Sequence, residues 1–292
     1  MPTRPFRFGV SMLATGSRSA WQAKARQAED LGYDVLQVPD HMGMPAPFPA
    51  LVSAADATTT LRFGTLVLNA GFYRPALLAR DIADTDQLTD GRLEVGLGAG
   101  YAEAEFRTAE LPYPAPAERV DHLAHTVAEL HRLFATSDQV PAVRQSPAPP
   151  LLVAGIGDRV LRLAAREADI VGFPVMSLRT PPGGDPQQVL AERVDYVRAE
   201  AGARFGHLEL NLFVSAVALT PPSAATPDLT AARRLAPNLT EDQIRRLPNV
   251  LAGSPDEITE TLHRYWETYG LTYFSVLEPH MTDFAKVIAR LR

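Results

Sequence analysis

The sequence predicts a (β/α)8 TIM barrel with insertion loops at the C-terminal face of its strands. Three observations carry that reading. Short apolar runs rich in β-branched residues alternate with helical patterns eight times along the chain, as parallel strands joined by right-handed crossovers require. The 292 residues suit one barrel, which takes about 250 plus loops. No shift in composition marks a boundary, so 1–292 is read as a single domain.

The elements follow in order. Phe6–Leu13 is the first strand, and Trp21–Leu31 is an amphipathic helix stopped by Gly32. Val35–Val38 is a buried strand ended by Pro39. After a proline-rich loop and a short helix around Leu51–Ala57, Leu61–Leu68 is the third strand. Pro75 sits just inside a helix that runs to Leu88 and closes at Asp90-Gly91. Leu93–Leu97 is the fourth strand and Glu118–Phe134 a long helix. Leu151–Ala154, Arg159–Glu167 and Ile170–Phe173 repeat the strand–helix–strand pattern. Gln187–Ala201 is a helix, Leu208–Leu219 a long strand and Asp256–Tyr269 a helix. Tyr273–Leu277 is the eighth strand, and Asp283–Leu291 closes the chain. Pro174–Pro186 and Thr220–Pro248 break this rhythm, the second holding a polar helix near Glu241–Arg246. Both follow strand ends, which puts them on the catalytic face of a barrel.

Composition excludes several classes of function. Hydrophobic residues at 46% and charged residues at 21% specify a folded core. A net charge of -6 argues against a nucleic-acid binder. The absence of cysteine excludes disulfides, thiolate zinc, iron–sulfur clusters and cysteine nucleophiles. No signal segment opens the sequence and no apolar run reaches membrane-spanning length, so a cytoplasmic protein is expected. Of 28 basic residues only Lys24 and Lys286 are lysines, the usage of a GC-rich genome.

Active sites of barrels lie just beyond the strands, so the residues at those positions are the candidates for chemistry. Asp40-His41 follows strand two, where an imidazole can hydrogen-bond a ring atom or carbonyl, or shuttle a proton. Asn69-Ala70-Gly71-Phe72 follows strand three and allows close backbone approach. Gly96, Gly98 and Gly100 alternate before Tyr101, a pattern that bares backbone to a flat ligand. Ala154-Gly155-Ile156-Gly157 opens a helix, where free amides attract phosphate and Arg159 adds charge. His122, His125 and His131 fall on a polar helix face, and no metal site is expected from them. The competing explanations are an ordinary turn for Asn69–Phe72, tight barrel packing for the Gly96–Gly100 motif, and Asp158 as an acidic helix cap after Gly157.

With these residues in view, the chain resembles the luciferase-like flavin and deazaflavin oxidoreductases. The resemblance is strongest in RPALLARDIADTDQLTDGRLEVGLGAGYAEAEF, Arg74 through Phe106, with its glycine turn and nearby Glu105. VPDHM at Val38–Met42, LLVAGIGDRVLRLAAREADIVGF at Leu151–Phe173 and GSPDEITETL at Gly253–Leu262 support it. So does the closing YFSVLEPHMTDFAKVIARL at Tyr273–Leu291.

The resemblance implies a flavin-type ring at the barrel mouth near Asp40, His41, Asn69, Ala70, Gly71, Gly98 and Gly100. It places a phosphate tail at Ala154, Gly155, Ile156 and Gly157, and a non-proline cis peptide at a bulge around Asn69-Ala70. It favours coenzyme F420, with FMN as the alternative, and a homodimer. His41 and Tyr101 are then the catalytic candidates, and Phe72, Phe173 and His280 the substrate-lining ones. An FMN-dependent two-component monooxygenase and a catalytically silent binder are the competing functions. Tyr101 stands where the family's sugar-phosphate dehydrogenases carry an acidic residue, and neither lysine is expected at the mouth. That combination disfavours a sugar phosphate.

Overall fold

The strands are short because each needs only to cross the barrel wall. In chain order they are β1 (Arg7–Ser11), β2 (Val35–Val38), β3 (Arg62–Thr65), β4 (Leu68–Asn69), β5 (Leu93–Gly98), β6 (Leu151–Ala154), β7 (Ile170–Phe173), β8 (Glu209–Val214), β9 (Ala216–Leu219), β10 (Val250–Gly253) and β11 (Leu271–Leu277). The computed structural model describes residues 4–136, 141–174, 184–221, 226–237 and 239–292. All strands but β9 and β10 join one sheet in the order β3-β2-β1-β11-β8-β7-β6-β5-β4, and β3 also pairs with β5 to close the ring. Every pairing is parallel. Since β3 and β4 share one place in the wall, the barrel has the expected eight positions.

The helices are α1 (Arg18–Asp30), α2 (Pro47–Ala55), α3 (Pro75–Leu88), α4 (Glu103–Thr108), α5 (Pro116–Thr136), α6 (Asp158–Glu167), α7 (Pro186–Ala201), α8 (Thr230–Leu235), α9 (Glu241–Arg245), α10 (Pro255–Tyr269) and α11 (Met281–Leu291). Their ends carry ordinary signals. Ser254 and Glu257 form a reciprocal capping box at α10, Pro255 sits in its first turn, and Gly270 ends it in the left-handed region.

The structure corrects the expected elements in five places. The third strand is split by a bulge whose cis peptide joins Leu66 and Val67, earlier than Asn69-Ala70. Leu208–Leu219 is two strands, because Asn249 clamps the chain at Ser215. The Asn249 carbonyl accepts the Ser215 N–H at 2.8 Å, and its side-chain amide donates to Ser215 Oγ at 2.7 Å. Beyond that clamp, β9 leaves the barrel to pair with β10, which was not expected. Helices α4 and α8 were not expected either. The described part of Thr220–Pro248 folds over its own small core of Leu229, Ile244, Leu247 and Val250. Residues 175–183 of the Pro174–Pro186 loop lie outside the described residues.

Side chains alternate across the wall. Leu36, Phe63, Leu97, Val153, Val171, Leu212 and Phe274 belong to the main core, in which the helices also pack. Several inward positions at the N-terminal end are charged. Arg7 bridges Glu94 and Glu209, the second at 2.5 Å, and lies 4.5 Å from the centre of the Tyr273 ring. Above them the Gln37 amide donates to the Tyr273 hydroxyl at 2.8 Å, and the Asn211 amide to Ser275 Oγ at 2.9 Å. Burial raises the Glu209 carboxyl above the ordinary range, and Arg7 opposes that shift. Replacing Arg7 by methionine is expected to cost about 3 kcal/mol, because both carboxylates lose their shared partner. Urea unfolding of the variant checks this.

Candidate active site

Three chain segments meet at the rim where β2, β4 and β5 end. Asp40, two residues past β2, accepts the Asn69 N–H at 3.1 Å. Burial still holds its carboxyl above the ordinary aspartate value. Asn69 in turn accepts the Gly71 N–H at 3.1 Å and caps the 3-10 turn Ala70–Phe72. His122 of α5 brings a ring nitrogen within 3.0 Å of the Ala70 carbonyl, so it braces this turn instead of facing solvent.

His41 lies beside Asp40. Its Nδ1 is 2.8 Å from Glu105 Oε1, and its ring meets Tyr101 edge-on with centroids 5.8 Å apart. Tyr101 is 75% exposed, open to a ligand. Helix α4, which carries Glu105, is held by the buried ring of Phe106. That ring packs against Phe72 and Tyr113, with both centroid separations 5.2 Å. A Cβ on Gly71 would stand 2.6 Å from it, so Gly71 is there to admit Phe106.

The side-chain space beside the alternating glycines is filled by the protein itself. A Cβ on Gly96 would stand 2.0 Å from the Thr65 carbonyl oxygen, on Gly98 2.8 Å from Val67, and on Gly100 2.2 Å from Asn69 Oδ1. Their missing side chains make room for the bulged third strand. Gly98 therefore shapes the mouth through Val67, and Gly100 through Asn69. Leu66, Val67 and Ala154 pack over the inner cluster of Val35, Leu152, Ile170 and Tyr273.

At the end of β6, Ala154, Gly155, Ile156 and Gly157 are half-buried. Gly157 begins α6 without any side-chain cap. Arg159 is not free to add charge there, because it donates to Asp121 and to the Ala117 carbonyl. Asp158 is paired with Arg193 at 2.5 Å.

Of the substrate-lining candidates, Phe72 is half-buried against Phe106. His280 follows β11, and burial lowers its pKa below the ordinary histidine value. Phe173 is a correction. It is 1% exposed and packs in the main core with Val171, on the face opposite the inward Gly172. Alternation along β8 turns half-buried Phe213 inward instead, between outward Leu212 and Val214. The same count in the sequence could have found it. Lys24 is a second correction. It stands at the rim, donating to the Ala14 carbonyl at 3.1 Å and pairing with Glu278, which also accepts the Leu13 N–H at 2.8 Å. Its charge is neutralised there. Lys286 is exposed and pairs with Asp283.

The luciferase-like monooxygenase family pattern matches residues 4–273. The F420-dependent glucose-6-phosphate dehydrogenase of Kribbella flavida is 29% identical over 298 aligned residues, covering 87% of this chain and 86% of that one. Two solved structures share the fold. The coenzyme F420 dependent tetrahydromethanopterin reductase from Methanopyrus kandleri superposes with a TM-score of 0.77 at 17% identity, covering 99% of this chain and 100% of that one. The monooxygenase RslO1 from Streptomyces bottropensis superposes with a TM-score of 0.73 at 22% identity, covering 97% and 99%. A parallel barrel with polar side chains gathered at its C-terminal rim is the build of a barrel enzyme, here an oxidoreductase. The chain belongs to the luciferase-like monooxygenase family. Among the described residues, no helix is long and apolar enough to cross a membrane.

Proposed function

We propose that the protein uses coenzyme F420 to move a hydride to or from an activated C=C, C=N or C=O bond of a small organic substrate. The observation that carries this reading is the His41–Glu105 pair, with Tyr101 edge-on, at the end of β2 beside the bulge. The name of the Kribbella flavida relative supports the choice of cofactor.

The residues present fit a flat ring with a phosphate tail. Gly98, Ala154 and Gly172 are small residues at or next to the ends of three successive strands. The first turn of α6 has amides that no side chain caps, a setting that favours phosphate at Gly155-Ile156-Gly157. When bound, the deazaflavin supplies the hydride chemistry. The protein's own side chains do the rest. His41 exchanges a proton through Nε2, and the Tyr101 hydroxyl is a second donor. Asp40 and Asn69 hold the bulge in register, while Phe72, Phe213 and His280 border the substrate. Homodimeric assembly and a cytoplasmic location belong to the same reading.

A two-component FMN monooxygenase is the second reading, favoured by the description of the family. Titration of the purified apo protein with F420 and with FMN, followed by fluorescence quenching, separates the two. Selective F420 binding is the expected result. Selective FMN binding would move the assignment to the monooxygenase, and binding of neither would overturn both.

A further inference from the structure

We infer that Glu105 is a positioning residue that fixes His41 in one tautomer, with the proton on Nδ1 and Nε2 bare. The catalytic meaning of this rests on the proposed proton exchange by His41, but the pairing itself does not.

The contact of 2.8 Å between His41 Nδ1 and Glu105 Oε1 is a hydrogen bond by length. An ionised carboxylate only accepts, so the hydrogen between them belongs to Nδ1. In neutral imidazole the other nitrogen must then carry a lone pair. Among the described residues, Nε2 has no hydrogen-bond partner. The side chains of the pair are 30% and 19% exposed, which limits competition from water.

The surroundings leave Glu105 as the carboxylate that sets the ring. Asp40 is adjacent in sequence, yet its carboxylate is turned to the bulge, where Oδ2 accepts the Asn69 N–H. Tyr101 meets the imidazole with its ring, edge-on. Phe106, the next residue after Glu105, packs in the aromatic cluster with Phe72 and Tyr113, which holds the backbone that carries Glu105 beside the ring. A bare Nε2 can take a proton from a bound hydroxyl, and the resulting imidazolium stays paired with Glu105. The opposite tautomer could only donate.

Nitrogen NMR of the full chain tests this, with labelled histidine, no cofactor, and a pH at which His41 is neutral. The His41 signals are assigned by their loss in His41→Asn. The wild-type protein should show Nδ1 protonated and Nε2 unprotonated. In Glu105→Gln the side-chain amide can donate to Nδ1, so the Nε2–H form should rise to at least about half of the molecules, with the circular dichroism spectrum unchanged. A wild-type His41 already in the Nε2–H form would overturn the inference, and that result needs no variant to fold. An unchanged tautomer in folded Glu105→Gln would overturn it too. Because the spectra need no cofactor, failure here is distinct from failure of the cofactor assignment.

Discussion

Replacing His41 by alanine should slow hydride transfer by about 10²–10⁴-fold, the usual worth of a positioned acid or base. Affinity for the deazaflavin should change far less than the rate, because most of the proposed ring and phosphate contacts come from other segments. The side chain stands at the end of β2 with its Nδ1 committed to Glu105, which leaves Nε2 for the reacting group. Single-turnover rates with F420 saturating, set beside a binding titration of the variant, measure the two quantities separately. A rate within a factor of a few of wild type, at unchanged affinity, would remove His41 from the chemistry. A loss confined to affinity would instead make it a cofactor ligand.

The second large effect concerns stability. A Cβ placed on Gly96 would lie 2.0 Å from the Thr65 carbonyl oxygen, a backbone atom that cannot rotate aside. The two residues are also joined side chain to main chain: Thr65 Oγ1 donates to the Gly96 carbonyl at 2.9 Å, and the Gly96 N–H donates to Thr65 Oγ1 at 2.8 Å. Gly96→Ala must push the third strand away and stretch both bonds. A destabilisation of about 3 kcal/mol is expected, at the upper end for overpacking. That corresponds to a fall in Tm of roughly 5–10 °C. Gly206, whose added Cβ would meet nothing within 4 Å, is the matched control and should tolerate alanine. Equal melting temperatures for the two variants would contradict the packing role assigned to Gly96.

Much of the fold was legible because its signals are local. The burial of β2 and the proline-to-glycine bracket of α3 depend on neighbours a few residues away, and their bounds match the expected ones at Val35–Val38 and Pro75–Leu88. Helix α4 gave no such signal. Only Phe106 of its six residues is buried, so no apolar period marks it, and it forms where Phe106 docks against Gly71. β10 was missed for a related reason: Val250–Gly253 has a partner only because Asn249 turns β9 out of the wall.

The candidate site divides in the same way. The sequence by itself determined the barrel, the rim positions worth reading, and the presence of His41, Tyr101 and the glycines at them, because strand and helix periods and turn residues are written within short windows. Only the tertiary structure decided what those residues touch. It assigned the space beside Gly96, Gly98 and Gly100 to the bulge, turned Phe173 into the core, tied Lys24 to Glu278, and brought Glu105 to His41 across 64 positions of chain. Such contacts arise when parallel strands close into a ring, and a closed ring sets side by side residues that no local pattern relates.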